Sequence, residues 1–395
     1  MRKWWSGFSR EYKLLLLSML FLGVTSGLYD PTFNNYLSDV FHLSARVRGY
    51  LEFPRELPGF LVALVSGLFL FVADIRMLGG SIALIAAGLL GQSFYLWRGQ
   101  PQFAWMTGAM TLWSFGTHLF MPFSNSVSLR LSRQGETGKS LGILSGANTL
   151  AYIIGCAFVW LLMGGLRLTY SWIFRIGALF ALLAAGCVFM MKVTAPEKGV
   201  EDPASRFVLR KEYSLFYWLS VLFGARKQVF LTFAPWVLIK IYHKPATTLA
   251  SLLFTASVLG IFFRPLLGRL IDRVGERLII IGESLILILI CLGYGFAEKL
   301  GLGEGAVYLV SGCFITDQLL FAVNMARTTY LHKQLAYKSD LTPTLSMGIT
   351  MDHLVSMTIP ALGGVLWAAF GYEMIFLAAA CVALINLLVA LQMKK

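Results

Sequence analysis

Twelve apolar blocks of about 20 residues, separated by short charged stretches, run through the whole chain and limit its fold more than any other feature. A bilayer core of about 30 Å is crossed by that much α-helix at 1.5 Å per residue. The blocks are 13–37, 48–73, 78–97, 103–126, 140–164 and 170–192, then 213–240, 247–270, 277–298, 305–326, 342–368 and 372–393. Composition agrees: 57% of the 395 residues are hydrophobic and 13% charged, where a soluble domain carries roughly 25% charged residues. So few polar side chains cannot coat a water-exposed surface. The chain reads as an all-α integral membrane protein of twelve transmembrane helices.

The longest polar stretch, 193–212 (TAPEKGVEDPASRFVLRKEY), divides it into an N-terminal six-helix bundle, 1–192, and a C-terminal one, 213–395. With both termini in the cytoplasm, the inner segments hold about three times as many lysines and arginines as the outer ones. The outer seven are Arg46, Arg48, Arg98, Arg167, Lys240, Lys244 and Lys299. This asymmetry orients the chain and explains its net charge of +13 as a contact with anionic inner-leaflet lipid rather than with nucleic acid. The basic start MRKWWSGFSREYK enters the first apolar block without a small-residue cleavage site and reads as uncleaved. All five cysteines lie inside apolar segments, with no zinc or redox spacing.

The halves repeat each other. Segment 5 opens Ser140-Leu-Gly-Ile143 and segment 11 opens Ser346-Met-Gly-Ile349; Gly-Gly pairs follow at 164–165 and 363–364. The next segments open Tyr-x-x-Ile-Phe, at Tyr170–Phe174 and Tyr372–Phe376. Parallel repeats about an axis along the membrane normal are a transporter plan. After segment 8 the chain reads Gly268-Arg-Leu-Ile-Asp272-Arg273-Val-Gly275-Glu-Arg277, which resembles the G-x-x-x-D-R-x-G-r-R loop of the major facilitator superfamily. The first-half copy keeps Asp74, Arg76 and Gly79. The G-P-x-x-G-G antiporter ending of segment 5 is absent from 155–165. The resemblance implies two pseudo-symmetric six-helix bundles, a monomer, gating by these loops, and a cavity lined by segments 1, 4, 7 and 10.

A charge at mid-bilayer costs roughly 2.5–3.5 kcal/mol on insertion scales, so it faces a partner or water. Arg226 and Lys227, adjacent in segment 7, point about 100° apart. Either they hold an anionic substrate group or fixed acids neutralise them. On the substrate reading, Arg226→Gln weakens transport and leaves folding intact. Asp317 in segment 10 is a proton-coupling acid or their counter-ion, with Gln318 beside it as a polar contact. Asp30 stands level with Arg55, near Glu52 and Glu56; these form an ion-pair cluster, or Asp30 or Glu56 titrates where Pro31, Pro54 and Pro58 loosen the backbone. Asn34 is a polar substrate contact or an interfacial residue, His118 a substrate contact or a structural one, and Asp352-His353 in segment 11 serves proton coupling or polar helix packing. Arg175 and Glu283 read as snorkelling or structural pairs.

No nucleophile–base set or metal-ligand spacing occurs, and residues 133–140 (RQGETGKS) lack the first glycine of a phosphate loop. An enzyme, an ATP-driven pump, a metal site and a cofactor are therefore not expected. The expectation is a plasma-membrane (inner-membrane) secondary transporter using alternating access. It moves a small organic anion or zwitterion with protons; multidrug/proton antiport is the alternative.

Overall fold

The computed structural model describes residues 8–65, 74–132, 135–192, 209–337 and 340–393. Over the described residues each apolar block falls on a helix, the third running on into a short strand. In chain order these are α1 (Arg10–Phe41), α2 (Ala45–Val65), α3 (Asp74–Ser93), α4 (Phe103–Leu131), α5 (Thr137–Val159), α6 (Tyr170–Phe189), α7 (Ser214–Lys240), α8 (Ala246–Val274), α9 (Glu276–Phe296), α10 (Gly305–Leu320), α11 (Asn324–Gln334), α12 (Leu341–Phe370) and α13 (Tyr372–Ala390). The tenth block becomes two helices, α10 and α11, joined by one 3-10 turn at Phe321–Val323, and runs on past residue 326 to Gln334. A π-helical turn, Trp160–Gly165, ends α5 on the Gly-Gly pair. Among the described residues nine helical stretches are long and apolar enough to cross a membrane, with α10 and α11 counted as one. Strands β1 (Leu96–Trp97) and β2 (Gln100–Pro101) form a small hairpin. Its two turn residues, Arg98 and Gly99, both have positive φ, as a tight hairpin requires.

By contacts the chain separates into two compact units. One comprises Met1–Phe41, Leu64–Lys198 and Pro245–Phe254; the other His42–Ala63, Gly199–Lys244 and Thr255–Lys395. The sequence halves therefore trade two segments, the first part of α2 and the start of α8. Of the linker read at 193–212, residues 193–208 lie outside the described residues.

The repeat is visible in the backbone as well. His42 and His243, with φ of 50° and 51°, follow the first helix of each half, three residues before Ala45 and Ala246 open the next. The repeated Tyr-x-x-Ile-Phe motif opens α6 and α13, and its phenylalanines are core residues. Phe174 packs edge-on to Tyr36 at 4.8 Å; Phe376 stacks on Tyr294 at 4.6 Å.

Lipid offers no hydrophobic drive for helix association, so close backbone packing has to supply it. In the first unit α1 meets α5 where Gly27 and Gly155 leave no room for a Cβ on either helix. A Gly27→Ile protein is expected to lose its monodisperse peak on size-exclusion chromatography and to melt at lower temperature. Gly186→Ala, where the added carbon meets nothing within 4 Å, is expected to leave both unchanged. An unaltered Gly27→Ile protein would show that this crossing does not hold the unit together.

Candidate functional site

The midpoint of α7 carries two cations, and the second unit treats them differently. Arg226 is 5% exposed. Its Nη2 donates to Asp317 Oδ1 at 2.6 Å and to the Asp317 carbonyl at 3.2 Å. Glu283 Oε1 of α9 lies 3.7 Å from Arg226 Nη1, and Glu283 Oε2 accepts from Arg327 Nη2 of α11 at 2.7 Å. Two guanidiniums and two carboxylates thus form a buried set of zero net charge, faced by Phe321 over Arg226 and Phe223 over Arg327. Such a set tolerates the loss of no single member, because a charge left unpaired in the interior is strongly destabilising. It also explains the break in the tenth block. Asp317, three residues before α10 ends, gives its carbonyl partly to Arg226, and the chain tightens into the 3-10 turn at Phe321–Val323.

These contacts revise two placements made from sequence. Arg327, which follows the block 305–326 and so falls among the inner-side cations by sequence, is 2% exposed and part of the set. Arg48, counted among the outer cations, is fully buried and paired with Glu52, which also accepts from Arg55 at 2.7 Å. Arg327 was set outside because α11 runs on past the apolar block that ended at 326; Arg48 stood at the first residue of its block. The structure also alters the consequence expected for Arg226→Gln. With Asp317 and Glu283 held by that guanidinium, the substitution acts on stability before it acts on transport.

Lys227 points elsewhere, as a neighbour on a helix must. Its Nζ donates to Asp352 Oδ2 of α12 at 2.7 Å, and Ser356 donates to Asp352 Oδ1 at 3.1 Å. The pair is less enclosed than the Arg226 set, at 17% and 18% side-chain exposure. Gly224 makes the fit possible, since a Cβ there would collide with Asp352. Asp352 lines a cavity of about 240 Å³ together with Phe216, Ser220 and Phe223 of α7, Asn324 and Thr328 of α11, and Gly348 of α12. Aromatic surface on one side, a few hydroxyl and amide groups and one carboxylate are what a small solute site uses. Asn324 and Thr328 were not singled out from sequence; their polarity on an apolar segment was the available signal.

The remaining candidates fall into separate places. His353 Nδ1 lies within hydrogen-bond distance of Glu56 Oε2, at 3.1 Å, both groups buried within the second unit. Gln318 is half-buried on α10. In the first unit, Asp30 on α1 is exposed at mid-helix and hydrogen-bonds Tyr152 of α5. Asn34 is buried on the same helix. His118 Nδ1 lies 2.8 Å from the Ser114 carbonyl. A carbonyl only accepts, so Nδ1 carries a proton. Arg175 sits over Phe94 and Trp172, an amphipathic arrangement that suits a charge near a span end.

The gating-loop residues Gly268, Asp272 and Arg273 occupy the end of α8, the last two exposed. Gly275, with φ of 84°, forms the single-residue link to α9, where a residue with a Cβ would be strained. Arg277 donates to the Leu391 carbonyl at 2.9 Å, and Glu276 pairs with Lys333 at 2.7 Å. In the first unit Asp74 accepts from Ser126 and lies 3.5 Å from Arg130, while Arg76 is exposed.

Residues 56–336 match the sequence model of the Major Facilitator Superfamily. The chain belongs to that superfamily. No curated protein matches it in sequence. Among solved structures, the nucleoside transporter NupG is similar with a TM-score of 0.79 at 14% identity, over 98% of this chain and 100% of that one. A bacterial homologue of the iron transporter ferroportin, in an inward-facing state, gives 0.74 at 13%, over 97% and 98%. A D-xylose-proton symporter gives 0.70 at 16%, over 98% of each chain. At these identities the likeness is one of fold. The superfamily's secondary transport is the function the chain shares; its solute is read from the site.

Proposed function

We propose that this superfamily member moves a small anionic or zwitterionic organic solute across the plasma membrane, coupled to protons, by alternating access as a monomer with both termini cytoplasmic. The observation that carries this reading is the half-enclosed Lys227–Asp352 pair, whose Asp352 lines a cavity that also presents Ser220, Asn324 and Thr328. A solute carboxylate gains Lys227 only once Asp352 has given it up. For an anion, protonation of Asp352 releases the ammonium, so one proton enters with the solute. Asp317, Arg226 and Glu283 act as the fixed scaffold behind the pair. Glu56–His353, Asp30 and His118 are further polar groups along the transport route, with Asn34 and Gln318 as neutral contacts.

The test is uptake of labelled carboxylates, amino acids and sugars into proteoliposomes, with and without an imposed pH gradient. The reading expects acids or amino acids to accumulate, with acids driven by the gradient. Accumulation of neutral sugars alone, or acid uptake indifferent to the gradient, would count against it.

A further inference from the structure

α8 carries a cation that neither the ion-paired set nor the Lys227 pair uses. Arg264 lies ten residues before Val274, about 15 Å along the helix from that end. It is exposed, and it makes no ion pair or hydrogen bond among the described residues. A guanidinium at that depth is costly in hydrocarbon and calls for a polar surrounding. It lines a second cavity, of about 590 Å³, with Phe321, Asn324, Thr328 and Thr329 across from it. Gly260 and Gly268 stand one helical turn on either side of it. An added Cβ at Gly268 would meet nothing within 4 Å, and one at Gly260 would meet only the Arg264 side chain itself and Leu319, at 3.9 Å. The lane beside the guanidinium is therefore clear. The Asn324 side-chain amide makes no hydrogen bond among the described residues and supplies further donors. Asn324 and Thr328 also line the Lys227–Asp352 cavity, so the two cavities meet at one wall.

We infer that Arg264 and Asn324 form an anion-binding subsite that receives a carboxylate or phosphate group of the transported solute. The inference rests on the solute reading above and narrows it to organic acids and phosphate esters. The chemistry is direct. Among the described residues the other deeply placed arginines of this unit, Arg48, Arg55, Arg226 and Arg327, are each matched by a carboxylate, whereas Arg264 has its planar set of donors available for a bidentate oxyanion. A lipid headgroup belongs at the helix end, about 15 Å away, so the occupant is a solute.

The experiment measures the melting temperature of the full-length, detergent-purified protein against succinate, inorganic phosphate and added phosphatidylglycerol, at fixed pH and ionic strength. Native-state ligands raise it by mass action. Saturable stabilisation by succinate or phosphate is expected. Arg264→Gln should weaken its apparent affinity about tenfold or more, Arg264→Lys should keep part of it, and both should melt like the wild type without ligand. Lys227→Gln separates the two ideas. Stabilisation that survives Arg264→Gln but is lost in Lys227→Gln overturns the Arg264 subsite and leaves the Lys227 reading standing. Loss in Arg264→Gln alone supports the subsite and counts against Lys227. No anion effect on the wild type, or an effect of phosphatidylglycerol only, overturns the subsite.

Discussion

Arg226→Gln is expected to lower the apparent melting temperature by roughly 10 °C, corresponding to about 3–5 kcal/mol for breaking a buried pair. The substitution leaves Asp317, 1% exposed, without its 2.6 Å partner and removes the neighbour of Glu283 Oε1. Asp317→Asn should cost a comparable amount from the other side. The informative protein is the double one, Arg226→Met with Asp317→Leu. It removes both charges together, keeps the Glu283–Arg327 pair at 2.7 Å, and should recover most of the loss, because a well-packed apolar pair can replace a buried ion pair at little cost. A strong coupling in this cycle marks the set as scaffold. Equal losses in the single and double variants would contradict it, and so would an Arg226→Gln protein as stable as the wild type.

The second large effect belongs to the more open pair. Lys227→Gln removes the ammonium to which the solute's carboxylate is assigned, and a charge-assisted hydrogen bond of about 2–3 kcal/mol corresponds to a 30- to 150-fold loss of affinity. Asp352→Asn should do the reverse for an anion. The competing carboxylate is gone, Lys227 is permanently available, and affinity at neutral pH rises about tenfold. Uphill accumulation driven by a pH gradient should fail in that variant while exchange of solute for solute continues, since the proton carrier is lost and the binding cation kept. Gradient-driven accumulation that persists in Asp352→Asn would move the proton to another group.

Much of this was legible in the sequence for physical reasons that are easy to name. Apolar length dictates membrane helices irrespective of side-chain detail, and the repeated Ser140/Ser346 and Tyr170/Tyr372 openings fall at the starts of corresponding helices. Arg226 and Lys227 were recognisable as important because charge at that depth is expensive. Which of them is fixed and which is accessible was not legible, because it depends on partners 91 and 125 residues away, Asp317 and Asp352. Sequence periodicity carries no information about such pairings. Arg327 and Arg48 were misplaced because a buried, paired arginine and a loop arginine look alike in a positive-charge count. Arg264 passed unremarked among the span cations until the structure left it without a carboxylate. Asn324 and Thr328 follow a helix break that hydropathy does not register, since the 3-10 turn at Phe321–Val323 is made of apolar residues.

The most direct test of the central claim, that solute and proton bind together at Lys227–Asp352, is the affinity of the purified protein for a carboxylate solute measured across pH. The wild type is predicted to bind more tightly as pH falls, because protonation of Asp352 frees Lys227, and to take up about one proton per solute. The Asp352→Asn protein is predicted to bind with high affinity at every pH. A wild-type affinity that is flat with pH, or an Asp352→Asn protein that retains the wild-type pH dependence, contradicts the account.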